Sequence, residues 1–385
     1  MLKTFGSVFS GGGGADMGAK AAGLELLWGV EMDSPIAKTY ALNLGPHIIN
    51  AKAADVDLTK LPYVDLLWFS PPCQTDSNAR NKNLPRRDDA DAGLVIIDYV
   101  AALKPKVVVI ENVTGYRNNP VFKTIIAALW EQGYFVMAEN INAADLGVPQ
   151  TRRRLIVRAV RDELFIPEIQ TDSRWVGWYE AIKDLIPTLP ESKFAEWQMK
   201  RLPESLKENV LVAATSTELC VRNADEPANT VVASIGSHSV APKAYLVDAR
   251  NNFRDWTTVP DERPSFTILS TSLRRLGTAP KALLMPSDNA GQEWGKRYRD
   301  EADTAMTLGA SMPMPKAYVS DTPRSQVYKM TVSCLMRFQT FPDNYKFLPG
   351  TRGKLVDENL ACKIIGNSVP PLMAQKILAQ LAATY

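Results

Sequence analysis

The first 160 residues alternate short, nearly continuous apolar runs with longer amphipathic stretches. Runs at 3–10, 26–31, 64–70, 106–111, 135–141 and 155–160 have the length and β-branched or aromatic content of buried strands. Between them, a stretch from the glycines at 11–14 to about residue 23, and the stretches 34–43, 93–103 and 121–132, repeat apolar residues at helical spacing. Strand–helix alternation with short connections predicts an α/β, Rossmann-like, doubly wound and mostly parallel sheet. After about residue 165, Pro, Ser, Thr and Asn rise, and helical periodicity fades beyond the stretch 175–189. Segments beginning at Asp225, Asp261 and Ala302 resemble one another, each reading as a turn leading into a short strand. Helical character returns at the end, with an amphipathic stretch at 372–382. The expected organisation is one sheet domain, residues 1–165 plus 327–385. A smaller, mixed, strand-rich unit, 166–326, is inserted before the C-terminal helix.

Composition narrows the class rather than the function. The chain has 385 residues, enough for two domains, with 45% hydrophobic and 22% charged residues, as in ordinary globular proteins. No apolar run reaches the roughly 18 residues of a membrane span, and the N-terminus lacks signal-peptide architecture. A cytoplasmic protein is expected, with no membrane partner. The four cysteines, Cys73, Cys220, Cys334 and Cys362, form no C-x-x-C pair, and His47 and His238 are the only histidines. Zinc, disulfide frameworks and a histidine-based triad are therefore poorly supported, and no metal is expected. The net charge of +2 is uninformative, but basic residues cluster: Arg80, Lys82, Arg86 and Arg87; Arg152, Arg153 and Arg154; Arg274 and Arg275; Lys296, Arg297 and Arg299. Such clusters suit phosphate contacts and equally suit a solvated surface.

Five local patterns carry candidate chemistry. Ser10-Gly11-Gly12-Gly13-Gly14 follows the first strand and opens a helix, a place where backbone can approach a ligand closely. Glu31, about 20 residues on and at the end of the second strand, could accept from both hydroxyls of a ribose, so the pair implies a nucleoside-containing cofactor. Asp55-Val56 could bind and pack an adenine ring. Pro71-Pro72-Cys73-Gln74 ends a buried strand, placing a thiol at the sheet rim where open α/β sheets bind ligands. A lone cysteine is more often an inert core residue, so its neighbours decide. Glu111-Asn112-Val113 ends another buried strand at the same rim, where a carboxylate can exchange a proton or accept hydrogen bonds. In Gln150-Thr151-Arg152-Arg153-Arg154, an extended chain would place Arg152 and Arg154 on one side, able to hold an anion or favour a thiolate.

Together these pieces resemble the DNA (cytosine-5) methyltransferases. The glycine turn with Phe9 resembles that family's first S-adenosyl-L-methionine (AdoMet) motif, Pro71-Pro72-Cys73-Gln74 its nucleophile motif, and Glu111-Asn112-Val113 its ENV motif. Gln150 to Arg154 resembles its Q-x-R-x-R motif, and Gly366-Asn367-Ser368-Val369-Pro370-Pro371 its last AdoMet motif. All five occur in the family's order. The resemblance covers roughly 1–160 and 325–385, leaving the middle as the variable target-recognition region. It implies that Phe9, Ser10, Gly11, Gly13, Glu31, Asp55, Val56, Asn367 and Ser368 bind AdoMet. It implies Cys73 as nucleophile, Glu111 holding the cytosine, and Arg152 and Arg154 lining the site. Double-stranded DNA is the implied partner and a monomer is expected; a cognate restriction endonuclease is left open. The chain departs from the family at Thr75-Asp76-Ser77, at Ala92-Gly93-Leu94, and at Met330-Thr331-Val332-Ser333-Cys334 before the well-matched Arg337-Phe338-Gln339-Thr340-Phe341-Pro342-Asp343.

The implied reaction is covalent. A thiolate adding to cytosine C6 makes C5 nucleophilic enough to take a methyl group, on a base turned out of the duplex. The long basic loop from 76 to about 91 is expected to close over that base and touch phosphates. Three other readings remain open: a tRNA cytosine-5 methyltransferase on the same scaffold, a nicotinamide-dependent oxidoreductase using the glycine turn and Glu31, and a catalytically silent DNA-binding relative.

Overall fold

The computed structural model describes residues 1–72, 92–172, 174–192, 210–214, 219–228, 245–246, 327–350 and 355–385. Cys73, Gln74, the basic loop after them, the segments from Asp261 and Ala302, and the later arginine clusters lie outside the described residues.

The chain begins with β1 (Thr4–Val8), α1 (Gly14–Ala21), β2 (Glu25–Val30), α2 (Ser34–Leu44) and β3 (Ile48–Ile49). It continues with β4 (Leu66–Phe69), α3 (Val95–Leu103), β5 (Val107–Asn112), α4 (Pro120–Glu131), β6 (Tyr134–Asn142) and β7 (Arg153–Arg161). These match the pattern read from the sequence to within a residue or two. Local chemistry sets the helix starts. The Asp33 carboxylate accepts from the Ile36 amide ahead of α2, and Asn119 accepts from the Val121 amide ahead of α4, which starts on Pro120.

The seven strands form one sheet in the order β3-β2-β1-β4-β5-β7-β6. From β3 through β5 neighbouring strands run parallel, but β7 runs antiparallel to both β5 and β6. The sheet is therefore mostly parallel, with one reversed strand. Connections from β1 lead to β2 on one side and β4 on the other, so the switch point, where such sheets bind ligands, lies at the carboxyl ends of β1 and β4. The reversal of β7 matters there: its first residues, not its last, lie at the rim where β5 ends.

Alternation along the buried strands feeds two cores. Leu66 and Trp68 of β4 join Phe5, Val107, Val109 and Ile156 beneath α1 and the C-terminal helix α8 (Pro371–Thr384). Leu67 and Phe69 join Val8, Val108 and Ile110 beneath α3 and α4. Gly18 lets α1 and α8 touch backbone to backbone: a Cβ there would sit 2.6 Å from Ala374 Cβ and from Pro371 O.

A third cluster binds the middle of the chain to its end. The stretch 175–189, beyond which helical periodicity fades, holds a turn and a half of helix, α5 (Trp178–Ile182), followed by a short 3-10 segment at Ile186–Thr188. Trp178, Ile182, Ile186 and Leu189 pack against Met330, Leu335 and Phe338 around α6 (Val332–Phe338), and against Cys362, Ile364 and Ile365 of α7 (Glu358–Asn367). Outside the main sheet, β9 (Val210–Ala214) pairs antiparallel with β10 (Leu219–Asn223) and β11 (Tyr245–Leu246). Likewise β8 (Glu191–Ser192) pairs with β12 (Val327–Tyr328), joining the two ends of the expected insert. Among the described residues, no helix is long and apolar enough to cross a membrane.

Candidate active site

Two groups of residues meet at the switch point. The first is the glycine turn. Phe9, at the end of β1, has φ 61°, and Gly11 and Gly13 have φ 55° and 82°, so the turn passes repeatedly through left-handed conformations. Gly13 ends the turn as the cap residue of α1, and its missing Cβ leaves room for Leu44 and the Tyr40 ring. A Cβ on Gly12 would lie 2.3 Å from Ile364, and Tyr345 Oη donates to the Gly12 carbonyl at 2.7 Å. A Cβ on Gly11 would meet nothing within 4 Å: this one glycine faces open space.

Glu31 grips the same turn. Its carboxylate accepts from the Gly11 amide at 2.9 Å and from the Asp33 amide at 2.7 Å. Burial pushes its carboxyl pKa up, and those two amides oppose the rise. Lys363 of α7 reaches across to pair with Asp33. Asp55 closes the short 3-10 helix Ala53–Asp55 and is exposed, and Val56 packs at the edge of the α3–α4 core. Asn367 is exposed at the end of α7, and Ser368 turns its hydroxyl back onto Ile364 O at 2.7 Å.

A buried polar chain lies under the turn. Asp16, in the first turn of α1, is fully buried, and its Oδ1 accepts from Ser7 Oγ at 2.7 Å and from Tyr40 Oη at 2.8 Å. Ser7 Oγ shares a hydrogen bond with Ser10 Oγ at 2.6 Å, and Tyr40 Oη shares one with His47 Nε2 at 3.0 Å. Burial raises the Asp16 carboxyl to about 6, against the pull of the two hydroxyls. Burial also lowers the His47 pKa, with Lys20 adding to the effect.

The second group is the rim at the carboxyl ends of β4 and β5. Glu111 lies in the last turn of β5's hydrogen bonding, opposite Ile156 of β7. Its Oε1 pairs with Arg154 Nε at 2.9 Å, both side chains being buried. Arg154 also donates to the Arg153 carbonyl at 2.7 Å. The next residue, Asn112, donates to the Pro71 carbonyl at 3.1 Å, so β5 holds the chain two residues before Cys73. Arg152 takes a different position from Arg154. It precedes β7, is 2% exposed, and donates to the Gly366 carbonyl at 2.9 Å. Arg152 and Arg154 thus have different partners, the Gly366 carbonyl and the Glu111 carboxylate.

The arrangement combines a glycine turn open at Gly11 and held by an acid with a buried carboxylate–guanidinium pair at the end of β5. A sequence model of the C-5 cytosine-specific DNA methylase family matches residues 3–383. The chain belongs to that family. It is a DNA cytosine-5 methyltransferase related to enzymes of Type II restriction–modification systems. The Type II methyltransferase M.FnuDI of Fusobacterium nucleatum is 27% identical over 98% of this chain and 94% of its own. M.NgoPII of Neisseria gonorrhoeae is 27% identical over 98% and 95%. Among solved structures, the S. pombe Dnmt2 methyltransferase superposes with a TM-score of 0.56 at 13% identity, covering 100% of this chain and 98% of that one, a likeness of fold.

Several residues around the glycine turn escaped sequence reading: Asp16, Tyr40, Tyr345 and Lys363. Asp16 sat inside a run read only for its glycines. Tyr40, Tyr345 and Lys363 carried no signal, since Tyr40 reaches Asp16, Tyr345 the Gly12 carbonyl and Lys363 the Asp33 carboxylate only through tertiary packing.

Proposed function

We propose that the enzyme transfers a methyl group from AdoMet to C5 of a flipped-out cytosine in a specific duplex DNA sequence, with Cys73 as the covalent nucleophile. The observation that carries this reading is the buried Glu111–Arg154 pair at the end of β5, tied through Asn112 to the Pro71-Pro72-Cys73 segment. The glycine turn supports the cofactor: Gly11 faces open space, and the Glu31 carboxylate is held beside it by two backbone amides. In this reading, Phe9, Ser10, Gly11 and Gly13 shape the pocket, Glu31 holds the ribose, Asp55 and Val56 flank the adenine, and Asn367 and Ser368 close the site. AdoMet supplies an electrophilic methyl group on sulfonium.

Cys73 adds as thiolate to cytosine C6, forming the S–C6 bond and placing electron density on C5. Glu111 shares a proton with ring N3 while its other oxygen accepts from the exocyclic amine, so N3 takes up that proton as the thiolate adds and returns it when the thiolate leaves. Arg154 keeps the Glu111 carboxylate in place and faces the base from β7. C5 takes the methyl group, a base removes the C5 proton, and the electron pair of that C–H bond expels Cys73 as thiolate. Turning the base out of the stack costs a few kcal/mol, and the basic residues of the 76–91 loop are suited to offset it through phosphate contacts. The Type II relatives make modification of DNA within a restriction–modification system the setting that fits this reading. Membership of the family sets the nicotinamide reading aside.

The test is a mechanism-based trap. Duplex DNA carrying 5-fluorocytosine at the methylated position should give a stable adduct mapping to Cys73 by mass spectrometry, and Cys73→Ala should lose both adduct and turnover. Turnover by Cys73→Ala would refute the covalent route. Methyl transfer to tRNA in preference to duplex DNA would favour the tRNA reading instead.

A further inference from the structure

Three stretches far apart in sequence meet through buried side-chain amides beside the active site. Gln150 is fully buried, and its Nε2 donates to the Phe338 carbonyl at 3.1 Å and to Gln339 Oε1. Gln339, also fully buried, passes the chain on: its Nε2 donates to the Ser368 carbonyl at 2.6 Å. Two residues after Gln150, Arg152 donates to the Gly366 carbonyl. The exposed Asn367 thus sits between two carbonyls, each held from the Gln150–Arg152 segment, one directly and one through Gln339. The loop they hold lies on the glycine turn, since a Cβ on Gly14 would be 2.2 Å from Val369 O.

The other side of Gln150 belongs to the middle of the chain. The Ala228 carbonyl accepts from the Thr151 amide at 2.9 Å, and the Ala228 amide donates to the Pro149 carbonyl at 2.9 Å, forming a parallel bridge opposite Gln150. Ala228 is itself 1% exposed and packed in the third core cluster. A displacement of the 225–228 segment therefore acts directly on the backbone of 149–151. From there it acts on Arg154 at the base and on the carbonyls of 366 and 368 at the cofactor.

We propose that Gln339, bridging Gln150 to the Ser368 carbonyl, is a positioning residue that couples engagement of DNA by the middle region to the conformation of the cofactor loop. The two ligands then bind cooperatively through this relay. The inference rests on the reading that Asn367 and Ser368 contact AdoMet and that the middle region contacts DNA. Amide direction makes the relay specific. Gln339 must accept from Gln150 and donate to Ser368, which a methionine of similar size cannot do and which glutamate does only in part.

The experiment is a linkage cycle that needs no turnover. Affinity for S-adenosyl-L-homocysteine is measured by calorimetry with and without a duplex carrying the enzyme's own site. The reverse is measured by DNA anisotropy with and without S-adenosyl-L-homocysteine. In the wild type each ligand should tighten the other by the same factor, at least about fivefold. Gln339→Met should bring that factor close to 1 while changing each ligand's separate affinity less than threefold. Gln150→Met should do likewise, and the double variant should add nothing further. A merely structural role would lower the melting temperature and both separate affinities while leaving the coupling factor intact, and that result overturns the proposal. Binding of both ligands by the wild type without coupling also overturns it, leaving the methyltransferase reading untouched. Failure of the wild type to bind either ligand would instead sink that underlying reading, and the relay with it. Should Gln339→Met fail to fold, Gln339→Glu and Gln150→Met decide the matter by the same factor.

Discussion

Asp16→Asn separates the charge of a buried carboxyl from its shape. Oδ1 of Asp16 accepts from Ser7 and Tyr40, and an amide oxygen can accept from both. Oδ2, which has no hydrogen-bond partner among the described residues, becomes an amide nitrogen. The carboxyl is raised from 3.8 to about 6 in the folded protein, chiefly by burial, so the fold favours its protonated form. That preference is fully present below pH 3.8 and is lost as pH rises through about 6. A rise of about two pKa units corresponds to about 3 kcal/mol. Wild type should therefore lose about 3 kcal/mol of stability relative to Asp16→Asn between pH 4 and pH 7, with the difference level above that window. Urea unfolding followed by tryptophan fluorescence at constant ionic strength measures it. A constant offset from burying the amide is expected; the pH dependence of the difference carries the test. His47, joined to Asp16 through Tyr40, has its pKa lowered by burial and by Lys20, and Tyr345 acts on Tyr40. Repeating the pair in a His47→Gln background removes the histidine. A difference that stays flat with pH, or that moves in favour of the wild type as pH rises, would refute the reasoning.

Gly18→Ala should cost about 1–3 kcal/mol, because its Cβ would meet Ala374 Cβ and the Pro371 carbonyl at 2.6 Å; a melting temperature equal to that of the wild type would show that α1 and α8 can separate freely. Glu31→Ala removes the carboxylate between the Gly11 and Asp33 amides. It should weaken AdoMet binding at least about tenfold by calorimetry, about 1.4 kcal/mol, with DNA affinity alone unchanged. Glu111→Gln should lower kcat by about 10²-fold or more, the scale of losing one preorganised transition-state contact. Because Arg154 stays buried beside a neutral amide, it should also cost about 3 kcal/mol in denaturant unfolding; a rate within a factor of three of wild type would remove Glu111 from the chemistry.

The strands and helices of the first 160 residues were legible because their periodicity reflects burial. Leu66-Leu67-Trp68-Phe69 is apolar throughout because β4 is covered on both faces. The direction of β7 was not legible, since an apolar strand reads the same either way. Direction decides that Arg154, at the strand's beginning, faces Glu111 at the end of β5. Nor could alternation say which partner each arginine takes: Arg154 pairs with Glu111, and Arg152 donates to the Gly366 carbonyl. The burial of 175–189 was not legible either, since its apolar residues face a cluster supplied by 330–365.

By itself, the order of short motifs determined the family and nominated the candidate chemistry-bearing residues, because glycines, a Pro-Pro-Cys turn and strand-end carboxylates are demanded locally by backbone geometry and reactivity. Tertiary structure alone decided what those residues touch. Tyr345 reaches Gly12 across 333 residues, and Gln339 joins Gln150 to Ser368. Such contacts follow from which surfaces exclude water together, a property of the packed chain that no local pattern encodes.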